Sequence, residues 1–98
     1  MPTYILLSNL TDEGARTLKE SPKRLQEVNK EIERFGAKVT AQYAVLGPYD
    51  FISIVDCPDD ETIARVSVEL SSRGTVRIQT LAAIPVANFV RNLKAPGR

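Results

Sequence analysis

The sequence predicts an α+β domain in which a four-stranded antiparallel sheet carries its helices on one face. Three observations lead to this fold class. Four short segments rich in β-branched and apolar residues alternate with two stretches of helical spacing. The middle two segments are joined by Gly47-Pro48-Tyr49, a link short enough to make them an antiparallel hairpin. At 98 residues, 43% hydrophobic and 26% charged, the chain has the length and mix of a single core, so residues 1–98 form one domain.

The first strand is Thr3 to Asn9, an apolar and aromatic run closing on polar residues. Thr11 is a helix N-cap, and Asp12 and Glu13 place carboxylates in the positive first turn. Helical spacing continues to Leu18 and breaks at Ser21-Pro22, because a residue before proline is pushed out of the α region. From Pro22 a new helix begins, with Leu25, Val28, Ile32 and Phe35 on one stripe and Gly36 as its left-handed stop. The first helical region is thus two pieces hinged at Ser21-Pro22.

Ala37 to Leu46 is the second strand, with Val39, Ala41, Tyr43 and Val45 alternating against Lys38, Thr40, Gln42 and Ala44. Asp50 to Asp56 is the third. Pro58-Asp59-Asp60-Glu61 opens the next helix, which puts Ile63, Val66, Ser67 and Leu70 on one face and ends at Gly74. Thr75 to Ile84 is the fourth strand, stopped by Pro85. Residues 86–98 form a C-terminal extension with an apolar trio, Val86, Phe89 and Val90, followed by Arg91, Lys94 and Arg98 with no acid.

The order β-α-β-β-α-β, with right-handed crossovers about a central hairpin, is the ferredoxin-like arrangement. Its helices cover one sheet face only. Strands this apolar leave the other face greasy, and such a face calls for a partner. In the fourth strand Val76, Ile78, Thr80, Ala82 and Ile84 fit the helix side. Thr75, Arg77, Gln79, Leu81 and Ala83 then look outward, a mixture suited to an interface or a ligand cavity. The expectation is a homodimer packed through the open faces, or a higher homo-oligomer.

Composition removes whole classes of chemistry. The chain has no histidine, which excludes Ser-His-Asp and Cys-His catalysis, His-ligated zinc and imidazole acid–base work within one subunit. A net charge of +1 argues against a nucleic-acid binder held by bulk charge. No apolar run nears the ~20 residues of a membrane span, and Met1 leads straight into strand-like sequence, so no membrane and a cytoplasmic location are expected. A single Cys allows no internal disulfide. Cys57 is flanked by Asp56, Asp59 and Asp60, whose charge disfavours a thiolate, and it reads as inert. Those acids lack the spacing of a calcium loop and are better explained as helix capping; neither a metal nor a cofactor is expected.

Two sets of residues could carry function. In the turn, Gly47 supplies a positive φ, Pro48 fixes the next φ and Asp50 accepts backbone N–H groups. The functional version of the same turn has the Tyr49 hydroxyl and Asp50 lining a pocket, with Asp50 as acceptor or base. The second set, Tyr4, Ser8, Gln42, Tyr43, Ser53, Arg77 and Gln79, lines the open sheet face to whatever extent strand alternation turns each residue that way. Arg77 is the sharpest, since a guanidinium on an apolar surface wants a carboxylate, either an intersubunit ion pair or an anionic ligand. The ligand-binding candidates are therefore Tyr49, Asp50, Arg77, Gln79, Gln42 and Tyr4; no catalytic residue is assigned.

The run Val45-Leu46-Gly47-Pro48-Tyr49-Asp50-Phe51 resembles the signature of the GYD-domain family of small bacterial proteins. Tyr4-Ile5-Leu6-Leu7 followed by Thr11-Asp12-Glu13-Gly14, and Gly74-Thr75-Val76-Arg77 onward to Ala82, extend the likeness over most of the chain. Pro48 departs from the bare motif and stiffens its turn. The resemblance implies the dimeric α+β barrel group. The same turn is similar to one in the ligand-sensing domain of leucine-responsive transcription regulators, which bind amino acids between subunits. No helix-turn-helix precedes it in this sequence, so autonomous DNA regulation is not expected, while effector sensing stays open.

Three functions follow in order. The first is a small-molecule-binding or sensing domain with its pocket at the sheet-face dimer interface, taking a small anionic or amino-acid-like ligand. The second is a cofactor-free enzyme of the monooxygenase or isomerase kind, in which only Tyr, Asp, Arg and Gln could serve. The third is RNA recognition, which shares the element order and would use Tyr4 and Phe51; the basic aromatic consensus is missing, and nucleic acid is not expected.

Overall fold

Eight elements make up the fold in the computed structural model of the chain, which describes residues 1–94, 96 and 97. They run β1 (Thr3–Leu10), α1 (Asp12–Glu20), α2 (Arg24–Arg34), β2 (Lys38–Ala44), β3 (Phe51–Asp56), α3 (Asp60–Ser71), β4 (Val76–Ala83) and α4 (Val86–Lys94). The strands form one antiparallel sheet in the order β2-β3-β1-β4. This is the ferredoxin-like topology that the sequence predicts. Arg98, part of the expected basic tail, lies outside the described residues.

Each junction has a local cause. The Thr11 side chain accepts the Gly14 N–H at 3.1 Å and caps α1. Ser21, with φ −141° and ψ 79°, breaks the first helical region where Pro22 requires it. Asp59 caps α3 by accepting the Thr62 N–H at 2.8 Å. Gly47, at φ 124°, makes the reversal between β2 and β3.

The core lies between the sheet and α1–α3. Tyr4 and Leu6 of β1 and Val55 of β3 meet Ile32 of α2 and Ile63, Val66 and Leu70 of α3, all buried. Cys57, fully buried at the end of β3, belongs to the same cluster. The fourth helix stands apart: it buries no residue, and Val86, Phe89, Val90 and Leu93 form an exposed stripe at helical spacing.

One strand departs from simple alternation. Val39 pairs with Val55, yet Ala41 pairs with Ile54, so a bulge falls at Thr40. A bulge inserts one residue and flips the faces that follow. Val39 and Gln42 therefore face the helices, whereas Ala41 and Tyr43 face away, and Gln42 is not on the open face. In β4 the predicted division holds, with Val76 and Ile78 packed on the core and Arg77, Gln79 and Leu81 exposed.

At Gly14 the first turn of α1 sits directly on the start of β4. Thr11 donates its backbone N–H to the Thr75 carbonyl at 3.1 Å and its hydroxyl to the Gly74 carbonyl at 2.7 Å. A Cβ on Gly14 would lie 2.0 Å from the Thr75 oxygen. Alanine elsewhere in a helix gains ~1 kcal/mol over glycine. At this position Gly14→Ala is expected instead to lose about 1–3 kcal/mol through overpacking, seen as a lower urea midpoint.

Candidate functional site

The helix-free face of the sheet is laid out in rows by strand register. Lys38, Asp56, Thr3 and Ala83 form one polar-edged row. Next come Ala41, Ile54, Ile5 and Leu81, then Tyr43, Ile52, Leu7 and Gln79. Asn9 and Arg77 close the far end. Two apolar rows bounded by polar ones have the anatomy of an association surface, dry at the centre and wet at the rim. Leu81 keeps 46% and Tyr43 60% of its surface exposed, so nothing among the described residues covers them.

The Gly47-Pro48-Tyr49-Asp50 turn stands at the polar end of this face. Asp50 is tied into the backbone: its carboxylate accepts the Leu10 N–H at 2.8 Å, and its own N–H donates to the Ser8 carbonyl at 2.9 Å. It fastens the hairpin to the end of β1. Tyr49 reaches across β1 and donates its hydroxyl to Gln79 Oε1 at 2.7 Å. The turn thus brings Tyr49 and Gln79 together beside Arg77. Among the described residues no carboxylate lies within ion-pair distance of Arg77, and its guanidinium is the free cation at this corner.

Tyr4 and Gln42, the other two candidates, sit on the opposite face. Tyr4 is buried in the core, and its hydroxyl donates to Asp60 at 2.5 Å, joining β1 to the first turn of α3. That hydrogen bond, aided by burial and by the charge of Asp60, pushes the Tyr4 hydroxyl up to about 12. Gln42 accepts from Asn29 Nδ2 at 2.9 Å and donates to Ser53 Oγ at 2.9 Å, linking α2, β2 and β3 under the helices. Burial raises the Cys57 thiol above its ordinary range. Sequence reading missed Asn29 and set Ser53 with the open face; the bulge at Thr40 turns Gln42 toward both of them under the helices.

Residues 4–93 match the GYD domain. A Thermus thermophilus protein described as "Glutamine synthetase and cystathionine beta-lyase binding protein" is 57% identical over 95 residues, covering 96% of this chain and 100% of the relative. A crystal structure of another protein of that organism agrees with a TM-score of 0.55 at 28% identity, over 87% of this chain and 95% of that one. The chain belongs to the GYD-domain family, as its turn motif suggested. No described helix is long and apolar enough to cross a membrane.

Two measurements test these assignments. A Cβ added to Gly47 would meet only open space, so the cost of Gly47→Ala comes from its φ of 124° alone; a loss of about 1–3 kcal/mol is expected in thermal melts. Tyr4 holds its proton more tightly when folded, so the stabilisation is complete below pH 10 and is lost as pH rises toward 12. The stability gap between wild type and Tyr4→Phe is expected to stay level below pH 10 and to close between pH 10 and 12 in denaturant titrations.

Proposed function

We propose that this chain is a small binding protein that pairs with a second copy through its helix-free sheet face and, so assembled, holds other proteins. The uncovered rows centred on Ile5, Leu7, Ile52, Ile54 and Leu81 carry this reading. An apolar surface continuous over four strands, with charge confined to its ends, suits self-association about a twofold axis. The full-length relative described as binding glutamine synthetase and cystathionine beta-lyase supports those two enzymes as the partners to try first. Arg77, Gln79 and Tyr49, at the rim, are where a small anionic or amino-acid-like ligand would lodge between subunits, with Arg77 taking its carboxylate.

Sedimentation equilibrium is expected to find a wild-type dimer or higher assembly at low micromolar concentration, and Leu81→Lys, which sets a charge in an apolar row of the face, to give folded monomer. Arg77→Gln is expected to leave the assembly intact and to abolish the thermal response to small carboxylates. A monomeric wild type would overturn the pairing. Purified glutamine synthetase and cystathionine beta-lyase from the same organism, passed over the immobilised protein, test the partners; retention of neither would remove them.

A further inference from the structure

A cavity of about 140 Å³ lies on the other side of the sheet, between its helix-facing surface and the α1–α2 pair. Leu6, Phe51 and Ile78 form its floor, and Leu18, Leu25 and Val28 its roof. The volume is close to that of the ~150 Å³ apolar cavity that admits benzene when opened in a protein core. Its polar features are few and placed: Ser8, Asn29, Gln42 and Ser53 among the walls, and the guanidinium-bearing Arg24 and Arg73. A mostly apolar hollow with a few convergent polar groups is the usual form of a small-molecule site.

The two arginines distinguish this hollow from a packing defect. Arg73, at the turn before β4, pairs with Glu31 at 2.5 Å, and Arg24 approaches the same carboxylate at 3.7 Å. Arg24 also lies 3.5 Å from Glu27, an exposed contact within α2 that water screens. The Arg73 hydrogen bond holds Glu31 below the usual carboxylate range. Arg73 is the one exposed residue of the lining, so its pair with Glu31 stands where the cavity meets solvent, with the two guanidiniums sharing that one carboxylate. Inside, Ser53 accepts from Gln42, and Ser8 has no side-chain hydrogen bond among the described residues.

The roof is also lightly held. Gly14 is the only buried residue of α1 and Ile32 the only one of α2, and the helical backbone breaks between them at Ser21.

We propose that the cavity between α1–α2 and the sheet binds a small monocarboxylate with an apolar body, its body against Leu6, Phe51, Val28 and Ile78 and its carboxylate at Arg24 and Arg73. The site is separate from the sheet-face pairing surface, so its test does not depend on that pairing. The probes are 3-phenylpropionate and 4-methylpentanoate, with the corresponding uncharged alcohols as controls, read by isothermal titration and by amide shifts in two-dimensional NMR. Binding of the acids, with shifts concentrated on Leu6, Phe51 and Ile78, is the expected result. Val28→Phe fills the hollow and is expected to abolish binding while the protein stays folded; Leu25→Phe serves if Val28→Phe does not fold. Arg24→Gln is expected to weaken the acids about tenfold or more and leave the alcohols unaffected. No binding of either acid at millimolar concentration, binding that survives in a folded cavity-filled variant, or alcohols binding as well as acids would each overturn the proposal.

Discussion

The contact of α1 with the start of β4 governs much of what this fold presents. Thr11 is spent three ways within one turn: it caps α1, and it gives its N–H and its hydroxyl to the Thr75 and Gly74 carbonyls. Gly14 allows this because its bare Cα meets the Thr75 oxygen at a distance no side chain tolerates. The N-terminal end of α1 is thereby set against the backbone of β4, while its far end is freed by the break at Ser21-Pro22. α1 therefore runs from a backbone contact at one end to a break at the other, and the hollow lies beneath it.

Opposite faces of one sheet consequently do different physical work. On the helix side, polar groups are drawn into pairs: Tyr4 with Asp60, and Gln42 with Asn29 and Ser53. Burial makes an unpaired group costly there, so each is satisfied by a neighbour from another element. On the open side the groups that would satisfy Arg77 are not supplied by this chain among its described residues, and the apolar rows lack a cover. The first arrangement closes a core; the second leaves apolar rows and a guanidinium exposed to solvent.

Much of the fold was legible because its signals are local. Thr11, Ser21-Pro22, Gly47 and Asp59 act within one turn of themselves, and each boundary they mark lies where such chemistry puts it. The division of β4 into Val76 and Ile78 against Arg77 and Gln79 was legible for the same reason, since its alternation is unbroken. Gln42 was not. Its face depends on the extra residue at Thr40, and nothing in Lys38-Val39-Thr40-Ala41 distinguishes a bulged strand from a regular one. The pairing of Tyr4 with Asp60 lay equally out of reach, because it joins positions 56 residues apart through a helix start whose approach to β1 is a tertiary matter.

Asp50 shows how a motif can be both signature and scaffold. Its carboxylate holds the Leu10 N–H and its amide holds the Ser8 carbonyl, so the hairpin cannot swing away from β1. With Asp50 so engaged, Tyr49 is carried across β1 to Gln79 and lies beside Arg77 on the helix-free face. A Gly-Pro-Tyr-Asp turn therefore positions its aromatic residue by anchoring its acidic one. Pro48 contributes by narrowing the conformations open to the turn before the chain folds. The residue that defines the motif chemically, the carboxylate, acts on the backbone, and what it presents outward is the phenol next to it.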